Sequence, residues 1–195
     1  MARQGDRKLS KYSIFIYFIS GVGPVACSGS PDASGGDVTV QLGTGTVDYE
    51  SITADQPLPL YEGPQGGHHF FLHARMMGMV PGDPGSNDGP NNPTTRFQVF
   101  DDRGNRVDTE ARPHRRGYRP GGGGWLELPS GRIVVVVESL VGTLIDHRVR
   151  LRVDVQDAEG TSATDEVWIN AYEVPLIPGD AGPDDAGPSI GTITR

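Results

Sequence analysis

The sequence predicts an all-β protein, a sandwich of about eight short strands set between disordered N- and C-terminal flanks. Three observations predict it. The 195 residues include 28 glycines and 16 prolines, so helix breakers fall too often for a bundle, a coiled coil or a doubly wound α/β enzyme. Several segments alternate apolar and polar residues with period two, the signature of a half-buried strand. Turn residues separate these segments at short intervals, as in sandwiches.

The chain opens on a basic stretch, with Arg3, Arg7, Lys8 and Lys11 against Asp6, followed by the apolar run Ile14-Phe15-Ile16-Tyr17-Phe18-Ile19. A basic region, a short apolar core and small residues after it describe a secretory signal peptide, here residues 1–26. The apolar core is much shorter than the ~20 residues that cross a membrane as a helix. Cys27 is the single cysteine, which excludes an internal disulfide and a multi-cysteine zinc site. Pro24-Val25-Ala26-Cys27 resembles the lipobox of bacterial lipoproteins, with Pro24 where Leu or Val is usual. The resemblance implies cleavage before a diacylglyceryl-modified Cys27, and Ser28 after it implies the outer membrane. Several acyl chains anchor stably where one alone holds marginally. Simple secretory cleavage nearby is the alternative. Loss of residues 1–26 takes away four basic residues and one acid, so the formal charge falls from −8 to −11. Such an acidic chain does not suit phosphate neutralisation, and no nucleic-acid partner is expected.

Residues 27–37 (CSGSPDASGGD) read as the lipidated cysteine and a flexible tether. The domain then spans 38–177. Its first strand is Val38-Thr39-Val40-Gln41-Leu42, with Val38, Val40 and Leu42 on one face. Further strands are expected near 46–52, 58–61, 68–77, 95–101, 124–128 and 132–138, with Pro57, Pro59 and Pro64 implying an edge or kinked piece around residue 60. The clearest alternation is 147–155, where Val149, Leu151, Val153 and Val155 face a core and Arg148, Arg150, Arg152 and Asp154 face water. After the turn Asp157-Ala158-Glu159-Gly160, Val167, Ile169 and Ala171 repeat the pattern. Residues 178–195 contain the repeat Asp-Ala-Gly-Pro at 180–183 and 185–188, and 178–188 hold no apolar residue larger than Ala, so a disordered tail is expected.

Residues 149–169, an alternating strand, Asp-Ala-Glu-Gly, a polar link and a closing strand, resemble the last hairpin of immunoglobulin-like and PKD-type bacterial domains. That resemblance implies an immunoglobulin-like sandwich, although the Cys…Trp…Cys pattern of antibody domains is absent. Glu62-Gly-Pro-Gln-Gly-Gly-His-His69, the Asp-Ala-Gly-Pro tail and the cysteine with its tether are similar to secreted lipoproteins of myxobacteria, a resemblance that implies no activity.

Four groups of residues carry chemical possibilities. His68, His69 and His73 crowd one strand; His69 and His73 would share a face but stand about 13 Å apart, too far for one metal ion without partners such as His114 or His147. Strand-end and surface histidines beside the core residues Phe70, Leu72, Ala74 and Met76 are the preferred reading. The loop 81–93 offers Asp83, Asn87, Asp88, Asn91 and Asn92 to calcium, or is a plain loop, since its spacing departs from the calcium-loop pattern. Arg103, Arg106, Arg112, Arg115, Arg116 and Arg119 fall close together, and Arg112, Arg115, Arg116, Tyr118, Arg119 and Trp125 form the candidate binding set for an acidic polysaccharide or a partner. A solvated loop explains the same residues. Ile133-Val134-Val135-Val136-Val137 is apolar without a break, which predicts that both faces are covered, by a loop such as 80–93 or 111–123 or by a partner protein.

No nucleophile-elbow, zincin or phosphate-loop motif occurs. The sequence therefore predicts a lipid-anchored, non-catalytic binding or structural module of the cell envelope, with no cofactor. Its partners would be the membrane and an envelope protein or polysaccharide. An adhesin built on the Arg/aromatic loop and a metal-dependent envelope enzyme built on the histidines are the alternatives.

Overall fold

The computed structural model describes residues 37–64, 66–109 and 112–175. The expected signal peptide over 1–26, Cys27 with most of the expected 27–37 tether, and the expected tail over 178–195 lie outside the described residues. The described chain is all-β, with eleven strands rather than about eight: β1 (Thr39–Thr44), β2 (Glu50–Ser51), β3 (Pro57–Glu62), β4 (His68–Met77), β5 (Thr94–Phe100), β6 (His114–Arg115), β7 (Arg119–Pro120), β8 (Leu126–Glu127), β9 (Arg132–Val135), β10 (Arg148–Gln156) and β11 (Ser162–Val174). They form a curled mixed sheet, sandwich-like in its packing, in the order β2-β1-β4-β3-β11-β10-β5-β6.

Strand β4 makes the curl. Its first residues pair with β3 on one edge and β9 on the other, and its last residues pair with β1 and β8. One strand thus belongs to both layers. The alternating residues Phe70, Leu72, Ala74 and Met76 of β4 face Val149, Leu151, Val153 and Val155 of β10, Phe97 and Val99 of β5, and Leu58 and Leu60 of β3 in one buried core. The Leu42 N–H donates to the Asp165 carboxylate (2.8 Å), tying β1 across to β11.

The prolines of β3 sit where the ladder tolerates them. β3 runs parallel to β11, and the Asn170 N–H donates to the Gln56 carbonyl, so Gln56, Leu58 and Leu60 turn their backbone groups toward β11. Pro57 and Pro59 face the other way, where β4 pairs with β3 only from Tyr61 onward. Their missing N–H groups cost no ladder bond.

Two turns are closed alike. In Asp157–Thr161 the Asp157 N–H donates to the Thr161 carbonyl (2.9 Å) and Gly160 N–H to the Asp157 carbonyl (3.2 Å); in Asp101–Asn105 the same bonds are 2.9 and 3.1 Å. Gly160 (φ 90°) and Gly104 (φ 85°) occupy the left-handed position that glycine adopts without strain. Each aspartate is buried, its carboxylate accepting backbone N–H groups of its own turn.

Three expected strands shorten. The 46–52 segment retains only Glu50–Ser51, because the chain turns at Gly45 (φ 109°). The 124–128 segment retains Leu126–Glu127 after a tight turn of glycines, Gly122–Gly124. The 132–138 segment ends at Val135, and a 3-10 helix, Glu138–Thr143, follows. The expectation that a loop such as 80–93 or 111–123 covers the outer face of the valine run is overturned. Val134 and Val136 enter the core, whereas Ile133 and Val135 remain 58% and 41% exposed.

Candidate binding face

The outer surface of β3, β4, β9 and the end of β11 carries three of the five exposed large apolar side chains among the described residues, Ile133, Val135 and Tyr172; Val38 precedes β1 and Val47 lies between β1 and β2. Register places the first three together with the rings of β3 and β4: His69 lies opposite both Tyr61 and Val135, Phe71 opposite Ile133, and Tyr172 opposite Pro59. The rings are in contact. Tyr61 stacks on His69 at 6.0 Å between centroids, and Phe71 meets Tyr61 and His69 edge-on at 5.3 and 5.0 Å. Tyr172 is 42% exposed beside them. Burial lowers the His69 pKa, and the charge on His68 lowers it further, so at neutral pH His69 belongs to this face as an uncharged ring. A contiguous apolar patch that the fold leaves open is the usual mark of an interaction surface.

Beside this patch the seam between β1 and β3, both lying along one edge of β4, opens into a groove of about 430 Å³. Its lining includes Thr44, Glu50, Pro59, Tyr61, Phe71 and Tyr172.

The histidines do not come together. His68 and His73 are buried, not surface residues. His68 places Nδ1 3.1 Å from Glu138 and Nε2 3.2 Å from Glu173, so the two carboxylates sit on opposite sides of its ring. Burial disfavours its charged form, but the two carboxylate hydrogen bonds outweigh burial and its pKa is raised. His73 shares the outward parity of His69 and Phe71, yet the residues leading into β2 fold over it, with the Tyr49 ring edge-on at 5.8 Å. Burial lowers its pKa. Among the described residues no three His, Cys, Asp or Glu side chains are grouped to hold a metal ion. In the 81–93 loop, Asn92 is buried and spends its amide on the backbone, accepting from the Asp83 N–H (2.7 Å) and donating to the Ser86 carbonyl (2.8 Å).

The arginine and aromatic set divides. Arg112 and Arg115 are exposed and line a recess of about 480 Å³ with Asp88, Thr94 and Pro113. Arg116 is half-buried, and its backbone N–H bonds the Pro93 carbonyl. Tyr118 is a correction: it is a core residue, 1% exposed, with its hydroxyl 2.7 Å from that of Thr95. Burial pushes that hydroxyl's pKa far up, and its ring is out of reach of a ligand. Gly117 explains the divergence, since a Cβ there would fall 2.2 Å from the Asp83 carbonyl carbon; the chain dives inward at this point. Arg119 pairs with Asp48 (3.0 Å). Trp125 covers Arg75, whose guanidinium lies 4.3 Å from both the Trp125 and Tyr49 rings and donates to Gln41. The set is therefore at least two separate places on the surface.

Sequence reasoning flagged the valine run and His69 but did not join them to Tyr61, Phe71 and Tyr172. The available signal was aromatic and apolar residues at the non-core positions of alternating strands, 69 and 71 against 133 and 135. Comparison with protein-family models and with curated proteins finds no match.

Proposed function

We propose that the protein is an exported, lipid-anchored module of the cell envelope that works by binding a protein partner through the face of Tyr61, His69, Phe71, Ile133, Val135 and Tyr172. The exposed Ile133, Val135 and Tyr172, continuous with the half-buried Tyr61, His69 and Phe71, carry the reading. Each large apolar side chain a partner covers contributes about 1.5–3 kcal/mol when fully buried. The leader over 1–26 and the lipobox resemblance at Cys27 support export and anchoring, and the myxobacterial lipoprotein resemblance agrees with them. The reading is non-catalytic: it needs complementarity across a surface and no reactive group.

Two substitutions test its two halves. Cys27→Ala is expected to move the protein from the membrane fraction to the soluble envelope fraction; a variant that still sediments with membranes would reject lipidation as the anchor. Ile133→Lys adds a charge on an already exposed position and should leave the circular dichroism unchanged. It is expected to lower retention of the full chain on delipidated envelope protein by about tenfold, the equivalent of about 1.4 kcal/mol. Unchanged retention would reject the face.

A further inference from the structure

The groove beside the face has a chemical bias. Pro57 and Pro59 turn their backbone away from β11, toward the side on which the groove opens, and neither has an N–H. This stretch of strand edge therefore presents carbonyl acceptors without the donors that ordinarily alternate with them. Thr44 donates its hydroxyl proton to the Phe71 carbonyl (2.7 Å), leaving only lone pairs to offer. Tyr61, Phe71 and Tyr172 supply ring faces, and among the described lining residues Glu50 is the one charged group. Neighbouring His69 is held toward its neutral form. Acceptors, π faces and a carboxylate all favour a cation.

Resting on the docking reading above, we infer that this groove receives the cationic side chain, arginine or lysine, of the protein that docks on the aromatic face. The chain's own charge of −8, or −11 without residues 1–26, favours a basic partner at long range. The same charge disfavours a second copy of this chain. A neutral sugar can donate its hydroxyls to the same acceptors but draws no charge attraction from Glu50.

The probe is the tripeptide acetyl-Val-Arg-Val-amide, compared with its citrulline isostere, which has the same shape and no charge. The readout is amide NMR shifts of the ¹⁵N-labelled full chain. The arginine peptide is expected to shift Thr44, Thr46 and Tyr61 and to bind about tenfold tighter than the citrulline peptide. Glu50→Gln should reduce that preference to about threefold while leaving citrulline binding unchanged. Equal affinity for both peptides, shifts confined to another surface, or a neutral oligosaccharide shifting these signals where the peptides do not would each overturn the assignment. If Ile133→Lys abolishes envelope retention but no arginine preference exists, the groove assignment falls and the docking face stands. If the preference exists and retention is untouched by Ile133→Lys, the docking face falls and the protein partner with it.

Discussion

When the His68 ring is protonated, both of its nitrogens can donate, and each has a carboxylate to receive the bond, Glu138 at 3.1 Å and Glu173 at 3.2 Å. The neutral ring can serve only one. This contact joins the start of β4, the 3-10 helix after β9 and the end of β11. The sign of its pH dependence follows from the raised pKa. The unfolded chain releases this proton near 6.5 and the folded chain holds it to higher pH, so the stabilisation is complete below 6.5 and is lost as pH rises through the folded value. His69, His73 and His114 have lowered pKa values, burial being the main cause of each, and act in the opposite sense, costing stability as pH falls below 6.5. A double variant, Glu138→Gln with Glu173→Gln, removes the His68 contribution and leaves the others nearly in place. Both carboxylates are substantially exposed, which holds the effect to about 1 kcal/mol or less. Melting temperatures should show the wild type ahead at about pH 6 and the gap narrowing by about pH 8.5. A gap constant across that range would show that His68 is not the titrating group.

The turn Asp157–Thr161 shows what one residue contributes to an element. The buried Asp157 carboxylate accepts from the Glu159 and Thr161 N–H groups at 3.0 and 2.9 Å, and from the Val80 N–H at 3.0 Å, so it both shapes the β10–β11 turn and fastens the chain after β4 to it. Asp157→Ala leaves these donors facing a methyl group and should cost about 3 kcal/mol in urea unfolding. Asp157→Asn keeps one acceptor and should cost less, and equal losses would mean the carboxylate is not the organiser. Gly160→Ala should cost about 1 kcal/mol through its positive φ alone. This turn was legible in the sequence because Asp-Ala-Glu-Gly sits between two alternating segments, and β4 was legible to both of its ends for the same reason. The two-residue strands β6 and β7 were not. His114–Arg115 and Arg119–Pro120 are too short to show a period, and each pairs with a different strand, β6 with β5 and β7 with β8. The candidate face was half legible. Five consecutive apolar residues announce a strand with something against both sides, but composition does not distinguish a side covered by the fold from one left open. The groove was not legible at all, since it exists only where β1 and β3 share one edge of β4.

That shared edge also governs how the molecule comes apart. A sandwich whose layers meet only through side chains could lose one layer and keep the other. Here β4 hydrogen-bonds within both, and β3 pairs with β11 in parallel across more than a hundred residues of chain. Fraying of either layer therefore strips partners from β4 and exposes Phe70, Leu72, Ala74 and Met76 together. Unfolding should be a single transition, and the two tryptophans are placed to check it. Trp125 lies against Arg75 beside β8 and β4, and Trp168 lies on β11 against Arg148 and Arg150, so each reports a different layer. In Trp125→Phe and Trp168→Phe, the fluorescence of the remaining tryptophan is expected to follow the far-UV circular dichroism of the same variant through guanidinium unfolding, with one midpoint. The pairing of distant segments should also make refolding slow, on the order of milliseconds to seconds. If the Trp168 signal changed at a lower denaturant concentration than the dichroism, β10 and β11 would be separating from a surviving β1–β4–β8 layer, and the continuity of β4 would not be what couples the two layers.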